Sequence, residues 1–434
     1  MTVNLKNLLN PKIKLSKMKE YQELQSIDGL EISSVSADLY GDGRDDLCLF
    51  YFKDGANFAA VYTKNKVTSA CINWNLRIKR HFVKGLLVNT KNANTFTGTQ
   101  GALGLKEISK TLSKALTLKA AQLPGGISEV IKPTDLLFAS TGIIGEKFPT
   151  QKIKNGINYL VKKLRKEQNK FVWFKAASSI LTTDTKPKLA YEECKIGNKL
   201  VKISGIAKGS GMIAPNMATM LSFIFTDADI PSLFLKAILK KNLTTTFNAI
   251  TVDSDTSTND MAVVFSTRKA KNSKIYNVLD PKLKEFEIAL HKVMENLSKQ
   301  IVVDGEGAKK FISIEVINAR SFIMAKNIGF AVANSPLFKT AIAGEDPNWG
   351  RIVMAVGKSE ENIAINKLKI KIGEYLVADN GQASDEYKEE DLKEYMKWDS
   401  IKVQIDLGLG SASFTVYTCD FTHDYIDINA DYRN

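Results

Sequence analysis

KGSGMIAPNMATML, residues Lys208 to Leu221, breaks a Lys- and Glu-rich neighbourhood with a nearly neutral run of Gly, Ala and Met that holds one threonine, Thr219. A threonine hydroxyl is a weak nucleophile unless a base takes its proton. The usual base is scarce: the chain has only three histidines, His81, His291 and His423. His291 falls inside an amphipathic helical pattern, and the other two have no acidic or serine motif beside them. One chemical solution needs no histidine. If the chain is cut before Thr219, the freed α-amine lies a few bonds from the hydroxyl and serves as its base. An α-amine titrates near about 7.7–8.0, so a substantial fraction is neutral at cytoplasmic pH. Ala218 is small enough for the Thr219 hydroxyl to reach its carbonyl and drive an N-to-O acyl shift, whose ester then hydrolyses. Gly209, Ser210 and Gly211 let the backbone bend tightly and approach a ligand closely, and Pro215 restricts the loop. On spacing alone, the same stretch reads better as a Gly-rich turn into a buried strand, with Thr219 an ordinary strand residue.

Attack on an amide also needs donors for the developing oxyanion. STGIIGE (140–146) follows the strand-like DLLFAS (135–140), and its Thr141 hydroxyl and Gly142 N–H stand at a strand end where two donors would be useful. Alone, this segment reads better as a plain turn. Other catalytic signatures are missing: there is no GxSxG, HExxH or GxxxxGK[ST]. GTQGALG (98–104) resembles a phosphate loop only weakly and reads better as a helix start. The acidic runs YGDGRDD and VDSDTSTND fail as calcium loops. Counting from Asp253 puts Thr258 where Gly is needed and Val264 where a bidentate Glu is needed, and counting from Asp38 puts Leu49 at that last position. No metal site is expected.

Composition sets the class. The chain has 434 residues, 44% of them hydrophobic and 25% charged, the balance of an ordinary globular protein with room for two or three domains. The net charge of +13 is mostly Lys and scattered rather than clustered with Arg and aromatics, which argues against nucleic-acid binding. Four separated cysteines, Cys48, Cys71, Cys194 and Cys419, give neither a disulfide framework nor a CxxC zinc pair and fit a reducing compartment. MTVNLKNLLNPKIKLSKMKE carries Lys throughout and lacks the apolar core of a secretory signal. No apolar run approaches the roughly 18 residues of a membrane span. A cytoplasmic protein is expected.

Strand-like GLLVN (85–89), DLLFAS and MLSFIFTD (220–227) alternate with amphipathic helices over 105–116, 153–168 and 233–243. The clearest helix is 281–301, where Leu283, Phe286, Leu290, Val293, Leu297 and Ile301 recur at helical spacing, with Asp280 as N-cap and Pro281 in the first turn. Beyond residue 310, FISIEVIN, IKVQIDLG, SASFTVYT and DYIDINA alternate as half-exposed antiparallel strands do, separated by a helix over 385–398. The chain therefore reads as mixed α/β (α+β) with a smaller, sheet-rich C-terminal part over 311–434.

KGSGMIAPNMATML, STGIIGE, LTTDTKPK (181–188), TVDSDTSTND (251–260), VVDGEGAKKF (302–311), AGEDPNWGRI (343–352) and INADYR (428–433) stand in the order found in the ornithine acetyltransferase (glutamate N-acetyltransferase) family. The chain resembles that family from about residue 35 to its C-terminus. The resemblance implies a layered αββα sandwich shared with self-processing aminopeptidases. It also implies autocatalytic cleavage at Ala218–Thr219 into an α chain (1–218) and a β chain (219–434), assembled as a heterotetramer of two of each. Thr219 would be the nucleophile, Thr141 and Gly142 the oxyanion hole, and Thr182, Lys208, Glu306 and Asn429 substrate contacts. The implied reaction, in arginine biosynthesis, moves acetyl from N2-acetylornithine to glutamate through an acetyl-Thr219 ester, with no cofactor. Acetyl-CoA as a second donor is an open alternative, as is a self-processed amidohydrolase or aminopeptidase. Four positions depart from the family's habit: Lys91 and Ser254 replace Gly, Lys309 stands where Thr is common, and the chain ends in Asn434 rather than Ser or Thr. Asn434, whose amide can donate where that terminal hydroxyl would, is placed with the substrate contacts.

Overall fold

A computed structural model describes residues 21–122, 130–214 and 220–431. The chain divides into two compact units: Met1–Gly209 with Asn216–Leu243 and Thr256–Leu297, and Ser210–Pro215 with Thr244–Asp255 and Ser298–Asn434.

The first unit contains, in chain order, β1 (Leu30–Val35), β2 (Leu47–Tyr62), α1 (Ala70–Leu76), β3 (Phe82–Asn89), α2 (Gly98–Ala121), β4 (Leu136–Ser140), α3 (Thr150–Lys162), α4 (Lys170–Ser179), β5 (Lys188–Ile196), β6 (Lys199–Lys208), β7 (Leu221–Thr226), α5 (Ser232–Leu243), β8 (Met261–Ser266) and most of α6 (Lys284–Val303). Its strands run β4-β3-β2-β8-β7-β6-β5, with β1 also on β2. β2 serves two sheet halves. Its first residues pair with β3 (Leu47↔Asn89 to Tyr51↔Gly85), the register breaks between Tyr51 and Ala56, and Asn57–Tyr62 then pairs with β8. The bend brings the halves face to face. Phe50 lies 4.8 Å from Phe225 and Phe52 lies 4.9 Å from Phe265, ring centre to ring centre. These rings and Trp173 of α4 are fully buried, and each buried aromatic of this kind contributes roughly 1.5–3 kcal/mol. Alternate residues Leu47, Leu49 and Tyr51 point the other way, onto Leu105, Ile108 and Leu112 of α2 and Ile153 and Ile157 of α3. On the opposite side, Gly205 of β6 lets Val293 and Leu297 of α6 close onto the sheet. Helices thus cover both outer faces of two packed sheet halves, an αββα sandwich.

The site's place in the fold follows from β6 and β7. They are antiparallel neighbours in register Lys208↔Leu221, so residues 209–220 connect two adjacent buried strands.

The second unit contains β9 (Phe311–Ala319), α7 (Phe322–Ala333), α8 (Pro336–Ala343), α9 (Trp349–Gly357), β10 (Lys369–Ile372), β11 (Tyr375–Asp379), β12 (Gln382–Ala383), α10 (Glu389–Met396), β13 (Ser400–Asp406), β14 (Ala412–Cys419) and α11 (His423–Ala430). Its sheet runs β12-β11-β10-β13-β9-β14. Ile312, Ile314 and Val316 of β9 pack with Met324, Ala325 and Ile328 of α7 in one core.

Three expectations are corrected. β9 pairs with β13 in parallel, not antiparallel, because alternation reports a half-buried face and not the direction of a neighbour. DYIDINA is helical: it lies within α11, Asp424 sits in the first turn, and Ile426 is 61% exposed, so the alternation marks no buried face. The helix expected to reach residue 168 stops at Lys162, because Arg165 exchanges backbone hydrogen bonds with Ile32 and the Gln168 side chain binds Ile27 N–H and Leu30 C=O.

Candidate active site

β4 delivers the first element of the site. After Ser140 the chain turns through Thr141 and Gly142 against residues 89–93. Gly142 has φ +132°, and a Cβ there would stand 2.2 Å from the Lys91 carbonyl carbon, so no other residue fits. The Thr141 N–H donates to Asn89 C=O (3.1 Å) and the Ile143 N–H to Lys91 C=O (3.0 Å). The Gly142 N–H between them makes no hydrogen bond among the described residues. The turn is fixed by Asn259, which donates to the Ala93 and Ser140 carbonyls (2.7 and 2.8 Å) and accepts from the Thr95 and Thr258 hydroxyls. Beside it, burial pushes the Asp260 carboxyl well above the usual carboxylate range, against the pull of the Ser257 hydroxyl and the Lys208 ammonium.

Lys208, the last residue of β6, joins this turn to LTTDTKPK. Its ammonium donates to the Thr182 hydroxyl (2.8 Å) and the Thr141 hydroxyl (3.4 Å) and stands 3.7 Å from the Asp184 carboxylate. Thr141, accepting from Lys208, keeps its own proton to donate elsewhere. Asp184 is fully buried and pairs with the equally buried Lys188 at 2.6 Å. It also accepts from the Gly209 N–H (2.6 Å) and the Thr182 N–H (3.1 Å). Burial alone would push the Asp184 carboxyl up, but the Lys188 and Lys208 ammoniums and these hydrogen bonds hold it well below the usual range. One carboxylate thus fixes Lys208, Thr182 and the entry to the Gly-rich stretch.

The second unit holds another group. Glu306 is buried, and its N–H donates to Ser210 C=O (2.9 Å). Asn429 of α11 donates to Glu306 Oε2 (2.8 Å). A Cβ on Gly211 would meet that same Oε2 at 2.2 Å, so the carboxylate lies directly against the Gly211 backbone. Asp253 clamps the next residues, accepting from the Met212 N–H (2.6 Å) and the Ile213 N–H (2.9 Å), while the Tyr425 hydroxyl lies 3.4 Å from Asp253 Oδ2. Burial pushes the Asp253 carboxyl up, against these backbone donors.

Of the residues expected from the sequence, Thr141, Gly142, Thr182 and Lys208 come together in the first unit, and Glu306 and Asn429 in the second. Ala218, Thr219 and Asn434 lie outside the described residues. Asp184, Asn259, Asp253 and Tyr425 were not singled out as site residues. Three of them lie in motifs quoted above, and Tyr425 lies in DYIDINA, but the contacts that tie them to other segments, such as Asp184 to Gly209 and Asn259 to Ala93, are too distant in sequence for spacing to show.

A family model for the ArgJ family matches residues 31–434. The chain is 42% identical over 413 residues to the "Arginine biosynthesis bifunctional protein ArgJ" of Gluconobacter oxydans, covering 95% of this chain and 93% of that protein. This chain belongs to the ArgJ family. The ArgJ protein of the same name from Mesorhizobium japonicum is 43% identical over 422 residues, covering 96% of this chain and 98% of that protein. A crystal structure of the Bacillus halodurans ArgJ protein is 39% identical, with a TM-score of 0.47, covering 49% of this chain and all of that one. Lys91 and Ser254 have φ +68° and +66°, the region that favours Gly. Among the described residues no helix is long and apolar enough to cross a membrane.

Proposed function

We propose that this enzyme of arginine biosynthesis carries acetyl from N2-acetylornithine to glutamate through an ester on Thr219, after cutting itself at Ala218–Thr219. The observation that supports it best is the junction of Lys208 with the Thr141–Gly142 turn: a hydroxyl and an N–H without a hydrogen bond among the described residues, at the end of β4, with a cation 3.4 Å from the hydroxyl.

The neutral α-amine of Thr219 takes the hydroxyl proton as the oxygen attacks the acetyl carbonyl. The Thr141 O–H and Gly142 N–H donate to the oxyanion as the tetrahedral intermediate forms. The C–N bond then breaks, the proton passes from the amine to the leaving ornithine nitrogen, and the acetyl group stays on Thr219. The glutamate amine attacks the ester, and its proton returns to the threonine oxygen. Both half-reactions use protein groups alone, so no cofactor enters. Lys208 suits a substrate α-carboxylate, with Thr182 beside it. Glu306 suits the side-chain ammonium of ornithine, and Asn429 and Asn434 complete the polar contacts. Cleavage yields an α chain of 1–218 and a β chain of 219–434, with 311–434 as its sheet-rich part, assembled as a cytoplasmic heterotetramer without nucleic-acid or membrane partners.

The test is ornithine release with and without glutamate, in wild type and Thr219→Ala. Glutamate-dependent release that vanishes in the variant is expected. Release indifferent to glutamate identifies an amidohydrolase, and turnover with acetyl-CoA as donor identifies a second activity.

A further inference from the structure

The first unit carries a cavity lined by none of the residues assigned to acetyl transfer. It measures about 820 Å³ and is lined by residues 66–68, α1, the 94–97 segment and the first turns of α2. Among the described residues, three cations line it, Lys66, Arg77 and Lys106, and no acidic residue does. None of the three has a carboxylate within ion-pair distance among the described residues. Three like charges around one hollow repel one another, and an anion would relieve that repulsion.

The same walls offer flat apolar surface. Trp74 lines the cavity, and Phe96 stands at its edge with 81% of its surface exposed. Phe96 also has φ +57°, a conformation that a bulky residue adopts only at an energetic cost. The fold therefore holds an aromatic ring out from the protein beside a cationic hollow, where covering the ring would be favourable.

α2 adds a third element. It runs 24 residues, has no acidic side chain in its first turn, and its N-cap Thr97 makes no capping hydrogen bond. The Thr97 hydroxyl donates instead to Asn94 Oδ1 at 2.9 Å. The first N–H groups of a long helix are thus left without a side-chain cap, and Gly98 and Thr99 line the hollow. This is GTQGALG, the stretch whose glycine spacing weakly resembles a phosphate loop.

We propose that this cavity binds a nucleotide, with its phosphates at Arg77, Lys66, Lys106 and the α2 N-terminus and its base on Phe96 and Trp74. Phosphate explains the cations, and a planar base explains the exposed ring; neither a bare inorganic anion nor an apolar ligand explains both. The proposal is independent of the acetyl-transfer reading, since none of these residues belongs to the catalytic set.

The test is calorimetric titration of the full-length protein with ADP and, separately, with inorganic pyrophosphate. Saturable ADP binding at one site per chain is expected, with pyrophosphate weaker by on the order of tenfold for want of a base. Arg77→Glu and Lys106→Glu are each expected to weaken ADP on the order of tenfold or more. Phe96→Ala should weaken ADP and leave pyrophosphate unchanged. All three side chains are exposed, so an unchanged melting temperature and an unchanged rate of acetyl transfer from acetylornithine report intact folding. No saturation by millimolar ADP overturns the site. ADP binding that survives both charge reversals places the nucleotide elsewhere and overturns it too. Pyrophosphate binding as tight as ADP, with Phe96→Ala without effect, refutes the nucleotide class.

Discussion

Asp184→Asn is the substitution on which the architecture of the site bears most heavily. In the first unit, the Asp184 carboxylate is fully buried, 2.6 Å from Lys188 Nζ and 3.7 Å from Lys208 Nζ, and it accepts from the Gly209 and Thr182 N–H groups. An amide has the same shape but only one acceptor oxygen. If that oxygen keeps Lys188 and Gly209, the new NH2 group faces the Thr182 N–H, donor against donor. Breaking a buried ion pair from one side costs about 3–5 kcal/mol. That is a large share of the roughly 5–15 kcal/mol by which a folded protein is stable. The pH dependence has a definite sign. A carboxylate held below its ordinary value stabilises the fold fully above the unfolded pKa of about 3.9, and the contribution fades as pH falls toward the folded value. Urea unfolding of wild type and variant should differ by about 3–5 kcal/mol at pH 7, and the gap should narrow from pH 4 down to pH 2. A loss under about 1 kcal/mol at pH 7, within the range of ordinary surface changes, or a gap independent of pH refutes this reading of Asp184.

Three further substitutions test the first-unit group. Gly142→Ala forces a Cβ to within 2.2 Å of the Lys91 carbonyl carbon at φ +132°, so it should cost about 1–3 kcal/mol in unfolding experiments and abolish turnover. Thr141→Val removes one oxyanion donor and should lower single-turnover acetylation by roughly 10²–10³-fold with little change in substrate affinity; an unchanged rate would remove Thr141 from the oxyanion hole. Lys208→Met takes a cation from the Thr182 and Thr141 hydroxyls and should raise KM for acetylornithine about 10–100-fold, whereas an unaltered KM would assign the α-carboxylate to another residue.

How much the sequence revealed depended on the range of each interaction. The 281–301 helix was legible because Leu283, Phe286, Leu290, Val293, Leu297 and Ile301 repeat at the helical period, and all are buried. The strand after Thr219 was legible because its residues are apolar and bounded by a small-residue stretch. β2 was not, because KDGA lies within it and reads as a terminator, while in the fold it is the bend that lets one strand serve two sheet halves. Thr141, Gly142, Thr182 and Lys208 were named through the order of their motifs, and no periodicity would have found them. Asn259 acts through a bond to Ala93 across 166 positions, and Asp184 ties its near neighbours Thr182 and Lys188 to the remote Lys208 and Gly209, so neither role is written in local spacing alone. DYIDINA failed because five alternating residues satisfy a strand template without fixing which face is buried.

The most direct measurement is the intact mass of the purified, denatured protein, before and after incubation with N2-acetylornithine. Two fragments meeting at Ala218–Thr219 are predicted, with one acetyl group gained by the C-terminal fragment alone. A single uncut mass that persists would leave Thr219 without its α-amine, and the acetyl-threonine mechanism would be contradicted.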